Sequence, residues 1–263
     1  MRRHRDGRRF SGFSLLLLFI IVAASWDWFS SRPPSTDSEP ESRDDVSPIV
    51  RALTPQSPAA AREGIAAMVL IDVSGSMDDR VRDGGQRRSK IQIAREAAAA
   101  LIRQFDAYGR AHPDETVLVG LMEFSERDDE PSAREVIALS PADPERADLA
   151  LARMRAKGGT PIGDAMIEGK RALDRTGLSR RHLLVVTDGE NTDGAKPVEV
   201  MNALAQRPEA ERPSVYFVAF DIEASRFERM RDAGSLVLPA ANAQELNSTL
   251  DTLLSGKILV ESP

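Results

Sequence analysis

Aspartate, serine and threonine side chains recur in this chain in an order suited to gripping a hard divalent cation. Asp72, Ser74 and Ser76 fall in Asp72-Val73-Ser74-Gly75-Ser76-Met77, directly after the apolar run Ile65–Ile71. Thr160 stands in Gly158-Gly159-Thr160-Pro161-Ile162-Gly163-Asp164, and Asp188 in His182-Leu183-Leu184-Val185-Val186-Thr187-Asp188-Gly189. Carboxylate and hydroxyl oxygens, with no Cys and no nearby His, suit Mg²⁺ or Mn²⁺ and not Zn²⁺ or Cu²⁺. Mg²⁺ takes about six oxygens in an octahedron and gives up its waters reluctantly. Three neutral hydroxyls and two carboxylates, some acting through water, fill most of that shell and leave the ion only partly neutralised. An open position on such an ion favours an incoming carboxylate, which is a way to bind an acidic side chain of a partner.

The elements that must position these residues read as alternating strands and helices. Ile65–Ile71 is continuously apolar and ends in Asp72, the pattern of a parallel strand buried on both faces. Ser89–Tyr108 carries Ile91, Ala94, Ala98, Leu101 and Phe105 at helical spacing. Strands follow at Thr116–Phe124 and, after the acidic loop Glu126–Glu130, at the edge Val136–Leu139. Helices are expected near Pro144–Arg155 and Pro161–Arg175, then a strand His182–Thr187, a helix near Val198–Gln206 and a strand Ser214–Phe220. A helix near Ser225–Asp232, a strand Leu236–Leu238 and a helix Ala243–Leu254 close the domain, which spans residues 65–254 and leaves a tail over 255–263. This alternation predicts an α/β fold: a doubly wound, Rossmann-like, mostly parallel sheet flanked by helices. In such sheets ligands bind beyond the carboxyl ends of the strands. Asp72 and Asp188 each end an apolar strand and Thr160 opens a helix, so all are candidates for one rim. Gly158 and Gly159 let the backbone come close ahead of Thr160.

Ahead of the domain the composition changes twice. Residues 1–12 are basic, with Arg2, Arg3, Arg5, Arg8 and Arg9, and the apolar run Phe13–Ala24 is followed by Trp26 and Trp28. Residues 13–29 read as an uncleaved membrane anchor with its two Trp at the far interface, or as a signal peptide cut near Ala24. Either way the Arg-rich end stays in the cytoplasm and the rest is exported: a single-pass protein of the cell membrane, or a periplasmic or secreted one after cleavage. Residues 30–64 are rich in Pro and Ser with few apolar side chains and read as a disordered linker. The net charge is −6; the first 25 residues carry five Arg and one Asp, so the remainder is about −10. That balance argues against a nucleic-acid partner, since no basic stripe is present to meet phosphates.

Together, these motifs resemble the von Willebrand factor type A (vWA) domain with its metal-ion-dependent adhesion site: Asp-x-Ser-x-Ser, a Thr in a later loop, and an Asp after the fourth strand. The resemblance covers about Ile65–Leu254 and matches all five positions. It implies a sheet ordered 3-2-1-4-5-6 with one antiparallel edge strand. It also implies direct coordination of the metal by Ser74, Ser76 and Thr160, with Asp72 and Asp188 acting directly or through water. A partner's Asp or Glu then supplies the sixth ligand. Two features depart from the pattern: the long charged loop Asp78–Arg88, and Asp221 after the fifth strand, where a small residue is common. The anchor, tether and single domain are similar to exported bacterial vWA proteins.

An enzyme is not expected. A serine nucleophile needs an adjacent base, usually His. His4 lies in the leader, while His182 and His112 fall at the opposite edge of the sheet from Asp188. No Lys or Glu is clearly placed as a base. The sequence therefore predicts a cation-dependent protein-binding module. The alternatives are a metal-assisted hydrolase and a scaffold domain whose metal is purely structural. Asp164 reads as an ordinary first-turn helix acid, and Glu190, Asn191 and Asp193 as a solvated loop.

Overall fold

The computed structural model describes residues 47–55, 60–128 and 130–260. In chain order the elements are α1 (Pro48–Leu53), β1 (Arg62–Asp72), β2 (Arg80–Asp83), β3 (Gln86–Ser89), α2 (Lys90–Ala111), β4 (Val117–Phe124) and β5 (Ala133–Ser140). They continue as α3 (Pro144–Leu151), α4 (Ile162–Asp174), β6 (Leu178–Thr187), α5 (Pro197–Ala205), β7 (Ser214–Phe220), α6 (Glu228–Asp232), β8 (Leu236–Ala240) and α7 (Ala243–Leu253).

Six strands form one sheet in the order β5-β4-β1-β6-β7-β8. With the small β2–β3 pair set aside, that is the expected 3-2-1-4-5-6. Every neighbour is parallel except β5, which runs antiparallel to β4 at the edge. The central strand explains the uninterrupted apolar runs. In β1, Ile65, Ala67, Val69 and Ile71 face the core under α2, α3 and α7. Ala66, Met68 and Leu70 face the core under α1, α4 and α5. A strand covered on both sides has no polar face, so period-two alternation is lost and only its ends are free to be polar. Asp72 and Asp188 stand at such ends.

Three expectations change. Part of the stretch read as a linker is ordered: Pro48–Leu53 is a helix, with proline preset at its first turn, and Leu53 is fully buried. Lys170, itself fully buried, donates to Leu53 O at 2.8 Å and to Asp174 at 2.5 Å, and Arg171 donates to Ala52 O at 3.0 Å. These contacts dock α1 on α4, and β1 starts at Arg62, so the linker's boundary moves back from residue 64. Next, the tail begins later than Leu254. Residues Leu254–Ile258 form a π-turn that buries both Leu254 and Ile258. The third change is that the charged loop after the two serines is a hairpin, β2 against β3, turning at Gly84-Gly85, both at positive φ. Its strands are short and charged, with Val81 as their one apolar side chain against the core, which hid the hairpin from sequence reading.

The basic segment 1–12, the apolar segment 13–29 and most of the proline-rich stretch lie outside the described residues. Among the described residues, no helix is long and apolar enough to cross a membrane.

The α1 docking makes a prediction. Lys170→Met leaves Leu53 O unpaired and leaves Asp174 with Arg181 alone, at 2.9 Å. Losing one partner of a buried pair costs about 3–5 kcal/mol, and the retained arginine puts this case near 3. Urea denaturation of the full chain measures it. An unchanged midpoint would mean that α1 contributes nothing to stability.

Candidate metal centre

The rim at the carboxyl ends of β1 and β6 gathers the five expected side chains. Asp72 is the last residue of β1 and is fully buried. Its Oδ1 accepts the Ser74 N–H at 2.7 Å, and its Oδ2 accepts the Thr187 hydroxyl at 2.6 Å. Ser74 is buried and Ser76 exposed, and their Oγ atoms stand 3.1 Å apart. The Ser76 hydroxyl donates to Asp188 Oδ1 at 2.8 Å. Thr160 is 5% exposed, and a Cβ placed on Gly189 would lie 3.7 Å from its Oγ1 and 3.9 Å from Ser76 Oγ. Both hydroxyls therefore border the same space above Gly189.

Local backbone chemistry explains the closeness of these loops. Gly75 N–H donates to Gly158 O at 2.9 Å, joining the serine loop to the threonine loop. Gly158 has φ 89°, and a Cβ there would fall 1.8 Å from Glu126 O. Only glycine meets both demands. Thr160 N–H donates to the Thr192 hydroxyl at 2.8 Å, and Thr192 N–H to Thr160 O at 3.1 Å. The stretch after Asp188 is thus hydrogen-bonded to the threonine loop, where the sequence suggested plain solvation. Asp164 accepts Ala195 N–H at 2.9 Å and so ties down that same stretch.

Sequence reasoning missed two participants. Thr187 fixes one Asp72 oxygen, as described. Lys90, the first residue of α2, places Nζ 2.9 Å from Asp188 Oδ2 and 3.0 Å from Asp221 Oδ2. One signal was legible: a basic residue in a helix's first turn faces the positive end of the helix dipole and needs an anion nearby. A lysine is therefore placed at the rim after all, but two carboxylates hold it as an ammonium with no lone pair to offer as a base.

The electrostatics follow from burial. Burial pushes the Asp72 carboxyl from an ordinary 3.8 up to about 6; hydrogen bonds from Ser74 and Thr187 pull it down, and the Asp188 charge adds to the rise. Burial disfavours the Lys90 ammonium, but Asp188 and Asp221 outweigh it and hold its pKa above the ordinary lysine range.

The donor set fits a small hard cation. Oxygens on adjacent corners of an octahedron with bonds of 2.0–2.1 Å stand about 3 Å apart. The separations of 3.1 Å between Ser74 and Ser76 and 2.8 Å between Ser76 and Asp188 match that edge. Both oxygens of Asp72 already accept protein hydrogen bonds, which suits a role through water. Among the described residues no group of three or more His, Asp or Glu forms a metal cluster, so hydroxyls must supply much of any shell. His182 is fully buried in the first half of β6, 3.3 Å from the Tyr216 hydroxyl, and His112 stacks on Tyr108 at the end of α2. A groove of about 1150 Å³ lies elsewhere, beside Ser179–Arg181 and Val260, and touches none of the rim residues.

A mostly parallel six-stranded sheet in this order, with one antiparallel edge strand and helices on both faces, is the fold of the von Willebrand factor type A (vWA) domain. Residues 67–191 match the family model described as the von Willebrand factor type A domain. A comparison with curated protein sequences returns no match. Among solved structures, the chain is similar to the PilB minor pilin from Streptococcus sanguinis, at 17% identity and a TM-score of 0.55 over 79% of this chain and 65% of that one. It is similar to the SpRpn10 VWA domain, at 16% and 0.54 over 72% and 94%. The pilus adhesin SpaC from Lactobacillus rhamnosus GG gives 14% and 0.58 over 78% and 32%. The chain thus spans less than two thirds of either pilus protein. At these identities the likeness is one of fold.

Proposed function

We propose that this protein is a divalent-cation-dependent protein-binding module. Asp72, Ser74, Ser76, Thr160 and Asp188 hold Mg²⁺ or Mn²⁺, and an Asp or Glu of a partner completes the shell. The observation that carries this is the octahedral-edge spacing of Ser74, Ser76 and Asp188 oxygens at an open strand-end rim. The cation supplies charge: it lets an acidic domain hold an acidic partner. The protein's own part is to fix the oxygens in advance. Thr187 and the Ser74 amide hold Asp72, Ser76 holds Asp188, and the Gly75–Gly158 contact holds the two loops together.

The pilus proteins of similar fold, one of them an adhesin, support a binding role over a catalytic one, as do the distant histidines. The Arg-rich start followed by Phe13–Ala24 supports export, with the domain outside the membrane as an anchored or released protein. Nothing in the rim favours nucleic acid.

The test uses the full chain loaded with Mn²⁺ and two short peptides, one bearing Glu and one with Gln in its place. Water-proton relaxivity is expected to fall on adding the Glu peptide, as its carboxylate displaces a metal-bound water, and to stay level with the Gln peptide. Equal binding of the two peptides, or Glu-peptide binding that persists in EDTA, would overturn the reading.

A further inference from the structure

Lys90 has no part in the five-residue set, yet the fold goes to some length to place it there. The β2–β3 hairpin leaves the serine loop and returns at once, and its two ends are clamped where Lys90 N–H donates to Asp79 O at 3.0 Å. Gln92 then accepts the Ser89 N–H at 3.2 Å and closes the first turn of α2 over it. The result is a lysine whose side chain is only 9% exposed, at the positive end of a helix of 22 residues. Both the burial and the helix dipole oppose a cation there. What offsets them is the pair of carboxylates, Asp188 and Asp221. Asp221 is the only non-glycine residue at positive φ among those described, at 52°, and its side chain remains 37% exposed.

The contacts divide Asp188 between two roles. One oxygen takes the Ser76 hydroxyl and faces the metal-site oxygens, while the other takes the Lys90 ammonium. Asp221 touches Lys90 and makes no contact with Ser74, Ser76 or Asp188 among the hydrogen bonds described. A divalent cation and Lys90 therefore draw on one carboxylate from opposite sides, and Asp221 is the ammonium's alternative anchor. We propose that Lys90 is a tethered counter-cation of the metal site: it neutralises Asp188 when no divalent cation is bound and leans onto Asp221 when one is. Lys90 thereby weakens cation binding, and Asp221 restores part of it by drawing the ammonium away. This rests on the metal-site reading above.

Two substitutions in the full chain carry opposite signs. Lys90→Met keeps the aliphatic stem and removes the charge; its Mn²⁺ affinity by calorimetry is expected to rise about tenfold, equal to about 1.4 kcal/mol. Asp221→Asn leaves Lys90 on Asp188 alone and is expected to weaken Mn²⁺ binding by a similar factor. Asparagine tolerates the left-handed conformation, so the backbone is not disturbed. Melts in EDTA report whether each variant is folded. If Lys90→Met does not fold, Asp221→Asn decides the matter, and unchanged or tighter Mn²⁺ binding by it overturns the proposal. Unchanged or weaker binding by a folded Lys90→Met also overturns it and leaves the metal site standing. Binding by Lys90→Met but not by wild type shows that the ammonium has taken the cation's place outright. If neither protein binds Mn²⁺, the metal-site reading fails and the proposal with it.

Discussion

In EDTA at pH 7, Asp72→Asn is expected to be more stable than the wild-type protein, by up to about 3 kcal/mol. The carboxyl of Asp72 is lifted from 3.8 to about 6 chiefly by burial, and each pKa unit is worth about 1.36 kcal/mol. The sign follows from linkage. The folded state binds this proton more tightly than the unfolded state, so Asp72 contributes stability below pH 3.8 that is lost as pH rises through about 6. At pH 7 the wild type carries the whole cost of a buried charge and the variant carries none. Asparagine can also keep both contacts. Its Oδ1 accepts Ser74 N–H, and its Nδ2 donates to Thr187 Oγ1, whose hydroxyl turns to Gly189 O, already at 3.1 Å. The advantage should shrink as pH falls from 6 toward 3.8. His182, which burial lowers to about 4, titrates in part of the same window but is common to both proteins and cancels in the difference. Paired urea titrations at several pH values measure this. A variant less stable than wild type at pH 7, in EDTA, would mean that the buried charge is better compensated than its surroundings suggest.

Added Mg²⁺ should reverse that ranking. A cation that binds only the folded protein adds about 2.7 kcal/mol at a hundred times its dissociation constant. The wild type should show this gain and Asp72→Asn should not, because the variant offers the ion a neutral amide where the wild type offers a carboxylate. The same coupling makes the gain pH-dependent: cation binding competes with the Asp72 proton, so below pH 6 the apparent affinity should weaken by about tenfold per pH unit. Thermal melts of the full chain in Mg²⁺, Mn²⁺ and EDTA test it, and the chain must retain α1, since Lys170 depends on Leu53 O. An equal shift in Asp72→Asn would remove Asp72 from the site, and no shift in the wild type at millimolar cation would count against the metal site itself.

The large strands and helices were legible because each announces itself locally. A double-faced parallel strand reads as an apolar run, and α2 reads as a stripe. Predicted and observed bounds for Ser214–Phe220 coincide, and most others differ by a few residues at the ends. Elements that depend on partners distant in sequence were missed. Pro48–Leu53 is too short to hold a helix alone and exists because Leu53 finds a pocket over α4 and α5. The β2–β3 hairpin carries charges on both faces and shows no periodicity to read.

For the candidate site the division runs along the same line. The residue types, their order and their place at strand ends determined that Asp72, Ser74, Ser76, Thr160 and Asp188 would share one rim, because strand direction and crossover hand leave a parallel sheet few alternatives. Only the tertiary structure decided which side chains touch: Thr187 on Asp72 across 115 residues, and Lys90 on Asp188 across 98. A hydrogen bond or ion pair exists or fails within a few tenths of an ångström. Distances that fine are set by how helices and loops pack on the sheet, and no local pattern in the chain encodes them.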